Sequence, residues 1–137
     1  MSLVVDASMT IAWLFRNQRS EGSRAVLRRV IADGAVVPAI WRLEVANVLR
    51  TSVRRRHCTD AYADRCLRQL GRLRIAVDID TDRQAWGTTR DLSRAHDLTL
   101  YDAAYLELAV RLQHPIASLD RALLAGARTV GLETVGG

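Results

Sequence analysis

Leu3-Val4-Val5-Asp6-Ala7-Ser8 decides how the rest of the chain is read: three apolar residues, an acid, and a small hydroxyl residue two positions after it. A run this short and apolar predicts a buried strand over 2–5, and Ser8 is placed to cap a helix over 8–15. Pro115-Ile116-Ala117-Ser118-Leu119-Asp120 repeats the pattern near the other end, with a strand over 116–118 and an acid just beyond it. Between the two, apolar runs of strand length alternate with helical periodicity. Ala25, Val26 and Val30 predict a helix over 20–33 that Gly34 stops. Ala35-Val36-Val37 is a second strand ended by Pro38, and a long helix covers 39–56. Tyr62, Cys66, Leu70 and Leu73 recur at helical spacing after Thr59 or Asp60. A third strand is expected at 75–79 and helices at 82–95 and 101–112. Beyond the 116–118 strand come a short helix at 121–125 and an edge strand at 132–135.

Strands separated by helices predict an α/β fold in three layers, a mostly parallel central sheet with helices on both faces. Ligands of such sheets bind beyond the carboxyl ends of the strands. Asp6 and Asp120 each follow a predicted strand, so two acids from opposite ends of the chain are expected on one edge of the sheet.

The length of 137 residues fits a single domain, and 49% hydrophobic with 26% charged residues is the composition of a globular protein. Twenty arginines and no lysine stand against fifteen acids, a formal net charge of +5. Such a balance favours a polyanionic partner, and guanidinium groups can fork onto phosphate oxygens as ammonium groups cannot. The start of the chain lacks the basic n-region of a signal peptide. Its longest uncharged apolar stretch, from Ala7 to Phe15, is far short of the roughly 20 residues of a membrane span. The expected location is therefore cytoplasmic, with no membrane partner. Cys58 and Cys66 match neither a disulfide framework nor a zinc-ligand spacing and are read as reduced, with Cys66 in the core.

Four acids stand out in this basic chain: Asp6, Glu44 within the 39–56 helix, Asp102 after Thr99-Leu100-Tyr101, and Asp120. Each alone has a plainer reading. Asp6 or Asp120 can cap a helix, Asp102 lies three residues after Thr99 as in a capping box, and Glu44, Asn47, Thr51 and Arg54 form a polar line of the kind that faces solvent. Helix capping does not, however, predict two acids at strand ends together with one in mid-helix. Arg50, Arg54, Arg55 and Arg56 with His57 cluster at a helix end, and Arg65, Arg68, Arg72 and Arg74 follow on the next helix. They read either as a solvated basic face or as a phosphate track toward the acids. Trp13, Trp41 and Trp86 could stack on bases, although Trp13 and Trp41 lie in apolar stretches that suit a core or an interface. His57, His96 and His114 show no ligand spacing.

Val4-Val5-Asp6-Ala7-Ser8, Glu44-Val45-Ala46-Asn47-Val48-Leu49, Tyr101-Asp102-Ala103-Ala104-Tyr105-Leu106-Glu107-Leu108-Ala109 and Ser118-Leu119-Asp120-Arg121-Ala122-Leu123 together resemble a PIN domain, and more narrowly the VapC-type toxins of prokaryotic toxin–antitoxin pairs. The resemblance spans nearly the whole chain and implies one PIN domain over 1–137. It implies a PIN-like α/β/α sandwich and a metal-dependent ribonuclease, with Asp6, Glu44, Asp102 and Asp120 as the metal-binding catalytic acids. Ser8, Asn47 and Ser118 take supporting places. Implied partners are an RNA substrate, a cognate VapB-type antitoxin and a second copy of the chain.

The chemistry accounts for the residue types. Carboxylates held close together repel one another, and Mg²⁺ or Mn²⁺ is a hard cation that takes oxygen ligands and keeps several waters, leaving room for substrate phosphate. Rival α/β classes fail on missing residues: a response-regulator receiver, a haloacid-dehalogenase-type phosphatase and a P-loop each require a lysine that this chain lacks. The remaining alternative is a catalytically silent PIN-fold module that binds nucleic acid or protein.

Overall fold

A computed structural model describes residues 2–136. Its five strands, β1 (Leu3–Val5), β2 (Ala35–Val37), β3 (Ile75–Val77), β4 (Ile116–Ala117) and β5 (Thr134–Val135), form one sheet in the order β3-β2-β1-β4-β5, and every pair is parallel. The sheet is thus wholly rather than mostly parallel. Leu3, Val4 and Val5 are fully buried, as a central parallel strand covered on both faces requires.

Among the described residues eight α-helices connect the strands: α1 (Ala7–Leu14), α2 (Glu21–Asp33), α3 (Trp41–Arg54), α4 (Asp60–Gly71), α5 (Thr81–Gln84), α6 (Thr88–His96), α7 (Leu100–Leu112) and α8 (Arg121–Thr129). From β1 the chain steps outward to β2 and β3, then returns to the other side of β1 for β4 and β5. Right-handed crossovers place α1–α4 on one face and α5–α8 on the other. In agreement, α1, α2, α3 and α4 pack among themselves while α5, α6 and α8 pack on α7. The reversal of direction between β1 and β4 opens a crevice at their carboxyl ends, where α/β sheets bind ligands.

Two helices carry apolar residues on all sides because both are enclosed. Met9–Leu14 of α1 and Ala103–Ala109 of α7 are buried without a break. Trp13 and Trp41 are core residues with their indole N–H groups satisfied, one donating to the Ser23 carbonyl and the other to the Thr10 hydroxyl, each at 3.0 Å. Glu107, enclosed within α7, is matched by Arg111 one turn later, whose guanidinium also forks onto Asp78 just after β3. Gly34 ends α2 at φ +78°, and a Cβ there would lie 2.9 Å from the Arg74 carbonyl oxygen, so glycine is required.

The helix expected over 82–95 is broken. Ala85, Trp86 and Gly87 form a turn between α5 and α6, with Gly87 at φ −107°, ψ −107° and Trp86 92% exposed, so no apolar stripe holds that stretch against the core. The short helix after Asp120 runs on to Thr129, with Gly126 allowing close packing on His96 and Leu106. The third, fourth and fifth strands are each shorter than their apolar runs. Cys66 is buried and both cysteines are free, as expected. Among the described residues no helix is long and apolar enough to cross a membrane.

Candidate active site

The four acids reach the crevice from four elements. Asp6 leaves β1 as the N-cap of α1, Glu44 is in the first turn of α3, Asp102 is in the first turn of α7, and Asp120 follows β4 as the N-cap of α8. All four line one open cavity of about 540 Å³ with Ala7, Ser8, Ile11, Gln18, Val48, Tyr105 and Leu119. Capping roles hold at the same time, although the helix after β1 starts at Ala7 and is capped by Asp6, not by Ser8 as expected. Asp6 accepts the Met9 N–H and Asp120 the Leu123 N–H, both at 2.9 Å, while Thr99 accepts the Asp102 N–H at 3.1 Å. A cap fixes a carboxylate at a helix N-terminus, so it orients the acid rather than competing with a role in the site.

Asp6 is the most constrained of the four, 3% exposed. The Ser8 hydroxyl donates to its carboxylate at 2.8 and 2.9 Å, and Ser118 donates from β4's end at 2.6 Å. Ser118 also accepts the Asp120 N–H at 2.9 Å, and Ser8 accepts the Leu119 N–H at 3.1 Å. These two serines stitch the turns after β1 and β4 together across the switch point. Glu44 is half-buried and receives a 2.5 Å bond from the hydroxyl of Tyr105, which is 1% exposed.

Electrostatics follow from this packing. Burial pushes Asp6 above the usual carboxylate range; the bonds from Ser118, Met9 N–H and Ser8 pull it back, and the charge of Asp120 adds to the rise. Glu44 is raised by burial, eased by Tyr105, and raised again by Asp102 and Asp6. Asp102 is raised by burial and then by Asp120 and Asp6, with a small offset from Thr99. Each of these acids therefore feels the charge of others across the cavity, the situation that a cation relieves. Among the described residues no group of three or more His, Cys, Asp or Glu side chains is arranged to hold a metal ion.

Asn47 is not brought to this cavity. The face of α3 turned toward the acids is the Glu44–Val48 row, and Asn47 is exposed on the adjoining face. There it lines a second depression with Val48, Thr51, Ser52, Arg55 and His57, and a third is lined by Thr51, Arg54 and Arg55. Val48 is shared by the first two, and Thr51 and Arg55 by the last two, so the three depressions neighbour one another along α3. Arg50 and Arg56 are exposed but line none of them. Sequence reading passed over Tyr105 and Gln18. Tyr105 was within reach, because it lies three residues after Asp102 on the same helix face. Gln18, in a single 3-10 turn at Arg16–Gln18, carries no local signal.

The PIN domain family pattern matches residues 3–128, nearly all of the chain and all four acids. The chain belongs to the PIN domain family. Within it, this PIN domain is 30% identical over 123 residues to Ribonuclease VapC3 of Pyrobaculum aerophilum, covering 90% of this chain and 92% of that protein, and is homologous to the VapC ribonuclease toxins. Solved structures share its fold. The crystal structure of PAE2754 from Pyrobaculum aerophilum superposes with a TM-score of 0.68 at 24% identity, over 98% of this chain and 92% of that one. Mycobacterium tuberculosis VapC20, described as a Sarcin-Ricin loop cleaving toxin, superposes with a TM-score of 0.61 at 16% identity, over 95% of each chain.

Proposed function

We propose that this chain, one PIN domain over 1–137, is a divalent-metal-dependent endoribonuclease toxin that hydrolyses RNA phosphodiester bonds. The observation that carries the reading is the convergence of Asp6, Glu44, Asp102 and Asp120 on one open cavity at the switch point of the sheet. The donor set fits Mg²⁺ or Mn²⁺ in kind: carboxylate oxygens with no thiol or imidazole, in an open cavity that leaves room for waters and substrate phosphate. Asp6 and Asp102 are the primary ligands in this reading, with Glu44 and Asp120 completing the set. The bound ion would polarise the scissile phosphate and offset the charge that develops during in-line displacement.

The chain's own residues do the rest. Ser8, Ser118 and the Met9 N–H hold the Asp6 carboxylate in one orientation. Glu44 orients the attacking water through the metal shell, and the water's proton passes to solvent as the new phosphorus–oxygen bond forms. The bond from phosphorus to the leaving sugar oxygen breaks, and that oxygen takes a proton from solvent water. Arg54 and Arg55 line the depressions that neighbour the cavity along α3, and with Arg50 and Arg56 they form an exposed basic end to that helix. They hold the RNA backbone without reading its sequence. Kinship with VapC toxins supports a VapB-type antitoxin, a homodimer and a cytoplasmic setting as part of the same proposal.

The test is incubation of total RNA with wild type and Asp102→Asn in Mn²⁺, followed by sequencing of the RNA ends. New ends with wild type that are absent with chelator and with the folded variant are expected. RNA that is bound but left intact in Mn²⁺ would instead identify a silent binding module.

A further inference from the structure

Glu44 differs from the other acids in what holds it. Asp6 and Asp120 are anchored by caps and serines, and Asp102 lies in the turn that Thr99 caps, whereas among the described residues the only hydrogen-bond partner of the Glu44 carboxylate is the Tyr105 hydroxyl. A glutamate has three rotatable side-chain bonds, and this one faces the charges of Asp102 and Asp6. Left to itself it would swing along α3 into water. The Tyr105 ring is locked in the core of α7, so its hydroxyl is a fixed donor to a mobile acid, across 61 residues of sequence. The bond engages Oε1 and leaves Oε2 without a protein partner among the described residues.

We propose that Tyr105 is a positioning residue of this site, whose hydroxyl pins Glu44 by Oε1 and keeps its other oxygen available to a divalent cation in the cavity. The inference rests on the metal-dependent reading given above. Tyr105 touches neither cation nor RNA; it acts through Glu44, as outer partners of metal ligands do.

Mn²⁺ binding to the RNA-free protein, measured by isothermal titration calorimetry, separates the possibilities. Tyr105→Phe removes one hydroxyl and keeps the ring, and is expected to retain the wild-type circular dichroism while weakening Mn²⁺ about 10-fold or more. Glu44→Ala is expected to weaken it at least as much, and the double variant to bind no more weakly than Glu44→Ala alone, because the hydroxyl has nothing left to hold. Tyr105→Phe binding Mn²⁺ like wild type, or the two losses adding in full, overturns the positioning role and leaves the metal reading standing. Failure of Tyr105→Phe to fold assigns the hydroxyl to the core and also overturns the proposal. Absence of Mn²⁺ binding by wild type overturns the metal reading and this inference together.

Discussion

Replacing Ser118 by alanine tests whether the stitch between β1 and β4 is an energetic feature of the site. Ser118 is fully buried; its hydroxyl donates to the Asp6 carboxylate at 2.6 Å and accepts the Asp120 N–H at 2.9 Å. A hydrogen bond to a charged group contributes about 1.5–3 kcal/mol, and a backbone N–H left without a partner costs about 1–3 kcal/mol. Asp120 is half-buried, so water can replace part of the second loss, and its lower end applies. Together these give about 2.5–4 kcal/mol of lost stability for the metal-free protein at neutral pH, or roughly 10 °C in Tm for a domain of this size.

The deficit should depend on pH with a definite sign. The Ser118 bond lowers a carboxyl that burial has already raised, so its removal raises the folded-state value further. As pH falls from neutral toward the ordinary carboxylate value, Asp6 in Ser118→Ala takes up its proton before Asp6 in wild type does, and the deficit narrows. Urea denaturation of both proteins at about pH 7.5 and about pH 5 measures it. A loss below about 0.5 kcal/mol at neutral pH, or a deficit of equal size at both, refutes the reasoning. Ser118→Thr, which keeps the hydroxyl, should recover much of the loss.

Three further outcomes are expected. Asp102 is raised by burial and by two neighbouring carboxylates, so its charge destabilises the metal-free protein above its folded-state pKa and ceases to do so as pH falls toward the ordinary value; Asp102→Asn should be more stable than wild type in urea denaturation at neutral pH and lose that advantage near the ordinary carboxylate value. Arg111→Met leaves the Glu107 side chain, 4% exposed, without its cation, and should cost about 3–5 kcal/mol in the same assay. Single Arg54→Gln and Arg55→Gln variants should weaken RNA binding and reduce the slope of log affinity against log salt by about 0.7–1 each, with cleavage sites unchanged; an unaltered slope would remove these side chains from the RNA path.

Local sequence carried a good deal of this. The apolar run at Leu3-Val4-Val5 is buried on both faces wherever it pairs, so its place in the middle of a parallel sheet was legible from composition alone. The stops at Gly34 and Pro38 were likewise local, because they act through the residue's own backbone. The break at Gly87 was not, because Thr88–His96 has helical character by itself and a lone glycine inside a helical pattern is compatible with either outcome. Asn47 shows the limit of periodicity: spacing put it on a line with Glu44, but the direction from which β1 and α7 approach α3 selects Val48 instead.

The sequence by itself determined the inventory: four acids, two serines and a row of arginines, each bound to a strand end, a helix turn or a helix terminus by backbone preferences that act over a few residues. Only the tertiary structure decided which of them meet. Asp6 and Ser118 are 112 residues apart, and Glu44 and Tyr105 are 61 apart, yet each pair shares one hydrogen bond. The physical reason is the order of the sheet. Because the chain reverses direction beside β1, the turns after β1 and β4 are neighbours, and α3 and α7 arrive from opposite faces to close the same crevice.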